Sequence, residues 1–370
     1  MCYLLNLVFK EYTLKVATFT LPFHPNYGAT LQAYALQQSI IELGHETVAI
    51  DVERRALRQT VRHYLSRIKN LCLRGELREN YDYGNAEFSR FIKNEIIKSK
   101  KVSFSYQFNR EDIKQFDAYV VGSDQVWRPK YVENIQRYFF DFVREGKIKV
   151  SYAASFGTDN FEYSEEDLAS CKLLINTFDA VSVRESSGID ICNNHFKYLS
   201  AKLVLDPTFL IDVRKYNSII SKYSKNEFDS ECFCYILDPS ELKLSKIRDT
   251  FLNATILNLN AKTKDKVGIG CWLKGIRDSK YVITDSFHGV AFSIIFNKKF
   301  LAIGNKSRGL ARFENILNLF NISERLITED VLMSTDIKAV LEKDIDYIQV
   351  NNILNKEKFM SLEFLGRSLR

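Results

Sequence analysis

The sequence lacks the cysteine pattern of a disulfide scaffold or of a zinc site. Its 370 residues contain seven cysteines, which stand singly apart from Cys232 and Cys234. A disulfide-rich domain is shorter and denser in cysteine, and a structural zinc site needs two ligand pairs or added histidines. We therefore expect reduced, mostly buried thiols in a cytoplasmic protein, and no metal site.

Long apolar runs and targeting signals are also missing. No apolar stretch approaches the roughly 20 residues that span a bilayer, and the apolar start MCYLLNLVF has neither a basic region nor a cleavage site. We expect a protein that neither crosses a membrane nor is exported. The net charge of +6 is modest for this length, which argues against a nucleic-acid partner but agrees with an anionic small substrate or an anionic surface.

The chain does contain a regular alternation of short apolar runs with helical periods, which indicates βαβ units and parallel sheets. The fold class that we expect is α/β, with two Rossmann-like domains facing a central cleft. The predicted strands form two sets, at residues 15–20, 46–51, 117–122, 148–155, 180–184 and 201–206, and at residues 232–237, 255–259, 281–284 and 300–304.

Between the two sets of strands the periodicity weakens, and Lys, Ser, Asn and Asp accumulate. This change predicts an N-terminal Rossmann-like domain at residues 1–206, a linker region at 207–230, a C-terminal Rossmann-like domain at 231–350 and a C-terminal helix at 351–370.

Residues 54–75 form a separate basic amphipathic pattern. A helix of this kind can lie on an anionic membrane surface. A domain helix with a solvated basic face gives the same pattern, so both interpretations stay open.

Polar residues gather in turns that follow predicted strands. In NYGATLQ, Asn26 and Tyr27 can contact a ligand above the sheet or can serve only the turn. In GSDQVW, Asp124 can orient or deprotonate a hydroxyl, and Trp127 can form a wall on which a sugar stacks, with Gln125 between them. Asp124 equally suits a helix N-cap, which requires no function.

The strongest polar cluster is TDSFHG, between an apolar strand and an apolar helix. His288 stands just inside the helix, where its ring can face the cleft as an acid or base, or can be a hydrogen-bonded structural residue. Asp285 can fix the tautomer of that ring or cap the helix, and Gly289 lets a ligand approach the backbone closely. The chain has no G-x-S-x-G elbow, which disfavours acyl hydrolysis.

Arginines after two predicted strands point to an anionic ligand. Arg184 ends the apolar strand VSVR, and its charge must pair with a carboxylate of the protein or of a ligand. Arg308 and Arg312 cluster with Lys306 at a predicted helix start, where positive charge opposes the helix dipole unless an anion is held there. A phosphate or a carboxylate is the expected anion.

Taken in order, the segments NYGATLQAYAL, GSDQVW, AASFG, SVRE, LDPTFL, TDSFHG and SRGLARF resemble the polysaccharide pyruvyl transferase family over residues 15–320. The resemblance implies a GT-B-like fold, with the acceptor on the N-terminal side and the donor on the C-terminal side. It also implies transfer of the pyruvyl group of phosphoenolpyruvate to a sugar of a bacterial capsule, exopolysaccharide or wall polymer, usually as a cyclic ketal. No cofactor is implied. Lipid-linked acceptors are common in such pathways, and residues 54–75 would then dock at the inner face of the plasma membrane.

The resemblance assigns roles to single residues. The family's general acid falls on His288, and its donor-binding arginine falls on Arg184. Several relatives carry an arginine two residues before the histidine, where this chain has Ser286, so we expect Arg308 and Arg312 to supply the missing charge. The other residues expected at the substrates are Phe287 and Gly289 with Ser286 for the donor, Asp124 for the acceptor hydroxyl, and Asn26, Tyr27, Gln125 and Trp127 for the acceptor sugar.

Two other functions fit the same residues. A nucleotide-sugar glycosyltransferase on the same kind of two-domain scaffold would use His288 as a base and the arginines to bind a diphosphate. A non-catalytic sugar-phosphate binding protein would bind the donor without turnover.

Overall fold

The computed structural model describes residues 12–53, 85–103, 105–224, 230–258, 267–304 and 310–370. Within these ranges the chain forms two sheets, and we call the parts of the molecule built on them the first and second halves. The predicted basic helix at residues 54–75 lies outside the described residues, and so does Arg308.

Six parallel strands form the first sheet. They are β1 (Lys15–Phe19), β2 (Glu46–Ala49), β3 (Ala118–Val121), β4 (Ile148–Ala154), β5 (Ala180–Val183) and β6 (Lys202–Leu203). Their order across the sheet is β2-β1-β3-β4-β5-β6. The inner strand β3 is buried along its whole length, as expected for a parallel sheet that is covered on both faces.

Five parallel strands form the second sheet. They are β7 (Cys232–Ile236), β8 (Ala254–Asn258), β9 (Tyr281–Thr284), β10 (Lys299–Gly304) and β11 (Leu326–Thr328). Their order is β11-β10-β9-β7-β8. If the strands of each sheet are numbered from its first strand in the chain, and the second sheet is read from β8 to β11, both sheets contain the order 2-1-3-4-5. This is a doubly wound order. This confirms the predicted fold of two Rossmann-like units, and all ten predicted strands are present.

Helices connect and cover the strands. In chain order they are α1 (Tyr27–Glu42), α2 (Asn85–Glu95), α3 (Glu111–Lys114), α4 (Glu165–Ile175), α5 (Ser186–Ile191), α6 (Val213–Tyr223), α7 (Glu241–Thr250), α8 (Ile269–Asp278), α9 (Phe287–Ile295), α10 (Ala311–Leu319), α11 (Ile337–Glu342) and α12 (Tyr347–Ser368). In the described residues no helix is both long and apolar enough to cross a membrane.

The two halves share one hydrophobic core. Tyr27 and Leu31 of α1 belong to the same buried cluster as Trp272 of α8 and Phe292 of α9. The region predicted as a linker contains α6, which packs against α8 and buries an apolar face of its own. The last helix, α12, returns to the first half, where its Leu365 is buried in the cluster under β1 and β3. The domain limits given above remain predictions.

Candidate active site

A cavity of about 540 Å³ opens between the two halves, at the carboxyl ends of their strands. The first half contributes the segments after β1 and β3, and the second half contributes those after β7 and β9 and the start of α10. In both sheets the strand order reverses at these positions, which is where doubly wound proteins bind ligands. The predicted site residues that line this cavity are Asn26, Asp124, Gln125, Ser286, Phe287, His288 and Arg312.

His288 is held where the two halves meet. It is the second residue of α9, whose N-cap is Ser286; the hydroxyl of Ser286 accepts a hydrogen bond from the backbone N–H of Gly289 at 3.4 Å. The imidazole packs against Gly28 in the first turn of α1, and a Cβ at residue 28 would overlap the ring. Glycine at this position lets a side chain of the second half reach into the first.

Asp206 is the carboxylate that faces this imidazole. Its Oδ2 lies 3.7 Å from Nε2 of His288 and accepts hydrogen bonds from Arg184 at 2.9 Å and from the Ser123 hydroxyl at 3.1 Å. Its Oδ1 accepts hydrogen bonds from the backbone N–H and the hydroxyl of Thr208. Burial acts to raise the pKa of Asp206, but His288, Arg184 and Thr208 together hold that pKa well below its usual range. Asp206 is therefore ionised, and it can balance the charge of an imidazolium.

Arg184 is buried behind Asp124 and Phe287 rather than in the cavity wall. Its Nη1 pairs with Asp206, and its guanidinium lies over the ring of Phe287 at 4.5 Å. Its Nε is 3.5 Å from Glu185 and its Nη2 is 3.8 Å from Asp124, and neither nitrogen makes a hydrogen bond within the described part of the chain. Burial acts to lower the pKa of Arg184, but the three carboxylates raise it above its usual value. The strand-end arginine is thus paired with protein carboxylates, while two of its donors lack a hydrogen bond.

Arg312 brings a second guanidinium to the site. It is the second residue of α10, is half-buried and lines the cavity. Burial and the nearby charge of Arg184 lower the pKa of Arg312, against the effects of Glu185 and Asp124. Arginine stays charged under such a shift. The two positive charges therefore repel each other, and an anion in the cavity would stabilise them.

The opposite wall of the cavity comes from the first half. Asn26 is the N-cap of α1 and accepts a hydrogen bond from the backbone N–H of Ala29 at 3.1 Å. Asp124 is buried with a backbone φ of 71°, a conformation that is uncommon outside glycine and recurs at functional sites. The side-chain oxygen of Gln125 accepts a hydrogen bond from Arg128 at 3.3 Å. This wall offers polar groups suited to sugar hydroxyls.

The structure places two predicted acceptor residues in the hydrophobic core instead. The Nε1–H of Trp127 donates to the carbonyl of Tyr138, and the indole stacks on a neighbouring ring at 4.8 Å. The hydroxyl of Tyr27 donates to the carbonyl of Val267, and its ring stacks on Trp272 at 5.1 Å. Both side chains are almost completely buried. Rings enclosed in this way are not available for stacking on a sugar, so the expectation for Tyr27 and Trp127 is corrected.

The expectation for Asp285 beside His288 is corrected as well. Asp285 accepts hydrogen bonds from the backbone N–H groups that follow β7, while Ser286 caps α9 and Asp206 faces the imidazole. Burial raises the pKa of Asp285. A Cβ at Gly289 would overlap the side chain of Thr284. Gly289 therefore serves the packing of α9 on β9, and the approach of a ligand to its backbone stays a prediction.

The residues of the site that were not predicted include Asp206, Gly28 and His24, and His24 also lines the cavity. Asp206 does carry a usable signal, because it is a charged residue directly after an apolar stretch, as Arg184 and Asp124 are. Gly28 has no such signal in the sequence beyond its place in a predicted turn, because its contact with His288 joins distant parts of the chain. Among the side chains that the structure describes, no group of His, Cys, Asp and Glu could hold a metal ion.

The two doubly wound halves and the cleft between them define the GT-B-like class of architecture. Among solved structures, Arabidopsis thaliana UGT89C1 complexed with UDP-L-rhamnose is similar with a TM-score of 0.50 and 9% identity, over 97% of this chain and 100% of that chain. S. aureus MnaA with UDP gives a TM-score of 0.48 and 11% identity, over 94% of this chain and 97% of that chain. At such identities the likeness concerns the fold alone.

The family to which the protein belongs is identified from its sequence. The sequence model of the polysaccharide pyruvyl transferase family matches residues 26–307, which is more than half of the chain, so the protein belongs to that family. A sequence search of curated proteins gave no match.

Proposed function

We propose that the protein transfers the pyruvyl group of phosphoenolpyruvate to a sugar of a bacterial surface polysaccharide precursor, forms a pyruvate ketal and releases phosphate. One observation carries the proposal: in a member of this family, His288 and Arg312 line one cavity, and the carboxylate of Asp206, paired with Arg184, is buried behind the imidazole. Phosphoenolpyruvate carries a carboxylate and a phosphate and needs one proton at its methylene carbon. Cations beside a proton donor match those requirements.

The donor fits the second-half side of the cavity. The first backbone N–H groups of α9, at Phe287 and His288, have no partner within the helix, and the helix dipole favours an anion there. Arg312 lines the same space, and just behind the wall Arg184 has two nitrogens that make no hydrogen bond to the described residues. Ser286 caps the helix and lines the cavity, which supports a contact between its hydroxyl and the donor. The contribution of Arg308 stays a prediction.

The chemistry follows from these groups. His288, as an imidazolium, protonates the methylene carbon of phosphoenolpyruvate, and a sugar hydroxyl adds to the adjacent carbon to give a tetrahedral phospholactoyl ether. The bond from that carbon to the phosphate oxygen then breaks, and a second hydroxyl adds to close the ketal. Of the two hydroxyl protons lost, one balances the proton delivered to carbon and the other leaves with hydrogen phosphate. Asp206 stabilises the imidazolium before transfer, and the guanidinium groups stabilise the negative charge on the departing phosphate.

The acceptor fits the first-half side. Asp124 lies in the cavity wall and can orient or deprotonate the attacking hydroxyl, with Asn26 and Gln125 beside it. We further propose that the acceptor is lipid-linked and is used in the cytoplasm at the inner face of the plasma membrane, where residues 54–75 would contact anionic lipid. Salt-sensitive binding to phosphatidylglycerol vesicles tests that part, and no binding at low salt would exclude it.

The central test is a transfer assay with defined products. The purified protein is incubated with phosphoenolpyruvate and lipid-linked glycans extracted from a host that lacks the gene, and both inorganic phosphate and the pyruvyl mass increment on the glycan are measured. We expect both products, and neither with His288→Ala. Release of a nucleoside diphosphate from nucleotide sugars, without phosphate from phosphoenolpyruvate, would instead identify a glycosyltransferase. Donor binding without any product would identify a binding protein.

A further inference from the structure

A second cavity, of about 290 Å³, adjoins the first on the acceptor side. The two cavities share three wall residues, Pro22, Lys130 and Tyr131. The inner wall of the second cavity is aromatic and includes Phe19, Phe108 and Tyr138. Its volume is close to the lower end of the about 300–1,000 Å³ typical of small-molecule sites. A space that continues from the acceptor wall is placed to hold the part of an acceptor beyond the reacting sugar.

Tyr131 stands at the junction of the two cavities and is 52% exposed. The guanidinium of Arg128 lies over its ring at 4.8 Å and donates a hydrogen bond to its hydroxyl at 3.2 Å. Arg128 is itself fixed by Glu162, to which it donates hydrogen bonds of 2.9 and 3.1 Å. A half-exposed ring that is held from one face offers its other face for stacking. The sequence suggests Trp127 as the ring on which a sugar stacks, whereas the half-exposed ring in the structure is that of Tyr131.

The charges around the junction favour an uncharged ligand. Lys130 pairs with Glu162 at 2.8 Å, Arg137 pairs with Asp141 at 2.7 Å, and Arg128 also pairs with Glu162. The described cations on this wall thus already have carboxylate partners. A phosphate would have to displace a carboxylate, whereas a neutral sugar needs only hydroxyl contacts and an aromatic surface.

We propose that Tyr131 is a stacking platform for the acceptor and that the adjoining cavity binds the neighbouring, uncharged sugar residue of an oligosaccharide. The inference rests on the proposed function only in requiring that the acceptor be a glycan. It makes an oligosaccharide the preferred acceptor over the terminal monosaccharide alone.

Glycan arrays that carry matched monosaccharides and oligosaccharides test this site without any donor. We expect the wild-type protein to bind one or more oligosaccharides at least tenfold better than their terminal monosaccharides. Tyr131→Ala removes the platform and Val132→Trp fills the cavity, and each should lower oligosaccharide binding at least tenfold. Tyr131→Phe should retain it, because the ring remains. Tyr12→Ala is the matched control, since Tyr12 is 86% exposed at a distant point of the sequence.

Three results would overturn the proposal: equal binding of monosaccharides and oligosaccharides, no binding of any glycan, or wild-type binding by a folded Val132→Trp variant. Circular dichroism and a thermal melt establish that each variant is folded. Because phosphoenolpyruvate is not used, a failure of the transfer assay leaves this measurement unaffected. Glycan binding with no phosphate release would therefore uphold this site and reject the proposed reaction.

Discussion

The imidazole of His288 lies directly against Gly28, so the proposed proton donor of the second half rests on the first turn of a helix from the first half. The neighbouring residue, Tyr27, extends the same contact into the core by stacking on Trp272. The position of the histidine therefore depends on the contact between the halves as much as on its own helix.

Replacing Gly28 with Ala should displace the imidazole without unfolding the protein. The added Cβ would overlap the ring, which must then shift from its present position beside Asp206. Since general acid catalysis contributes about 10²–10⁴ in rate, we expect kcat for phosphate release to fall at least tenfold. The KM for phosphoenolpyruvate should change less, because Arg312 and the α9 N-terminus are untouched.

Gly366→Ala is the matched control for this variant. A Cβ at Gly366 would make only ordinary contact with Leu43, and the residue lies within α12, where Ala favours the helix by about 1 kcal/mol. Full activity of Gly366→Ala with loss of activity in Gly28→Ala supports the contact. Wild-type kcat in Gly28→Ala would show that the ring position is unimportant.

Asp206→Asn should reduce both stability and turnover. The substitution removes the charge that Arg184 and His288 face in a buried setting, and breaking a buried ion pair costs about 3–5 kcal/mol. Unfolding by urea measures the loss, and phosphate release should fall about 100-fold or more. Asp278→Asn, which breaks a partly exposed pair with Arg277, should cost about 1 kcal/mol or less. Similar losses in the two variants would contradict a central role for Asp206.

The same carboxylate predicts a pH dependence of stability. The pKa of Asp206 is depressed in the folded state, so its contribution is complete above its unfolded pKa of about 4 and is lost as the pH falls further. The difference in unfolding free energy between wild type and Asp206→Asn should be fully present at pH 5. It should shrink by about 1 kcal/mol at pH 3. A difference that stays constant down to pH 3 would be inconsistent with a depressed pKa.

The fold was largely predictable because buried parallel strands appear in the sequence as short apolar runs. The exception, β11, has three residues that are each only partly buried, and it gives no such run. The helix α6 within the predicted linker region was not expected, because it intersperses buried Tyr216 and Ile219 with Lys, Ser and Asn. Its helical period is therefore easy to mistake for a polar connection.

The site was predictable where topology alone places a residue. His288, Asp124 and Arg312 follow strands directly or begin the next helix, and a doubly wound sheet brings such positions to one cleft. Whether an aromatic residue there is exposed depends on its neighbours, so Trp127 is enclosed in the core while Tyr131, four residues further on, is half exposed. The pairing of His288 with Asp206 also joins distant segments, and no local pattern encodes it.

Tyr27→Phe distinguishes a structural from an acceptor-binding role for this residue. The variant keeps the stacked ring but leaves the Val267 carbonyl without the hydroxyl that donates to it. We expect a loss of about 1 kcal/mol in urea unfolding, with the KM for the glycan acceptor unchanged. An acceptor KM raised tenfold at unchanged stability would instead return Tyr27 to the acceptor site.

Arg312→Gln should weaken donor binding more than it slows the chemistry. Arg312 lines the cavity close to Arg184, and its loss removes a charge-assisted contact to the phosphate or the carboxylate. We expect the KM for phosphoenolpyruvate to rise at least tenfold, and the double variant with Arg308→Gln to raise it further. Arg367→Gln is the control, because Arg367 is 72% exposed on α12. An unchanged donor KM in the double variant would show that neither arginine replaces the charge that relatives carry at the position of Ser286.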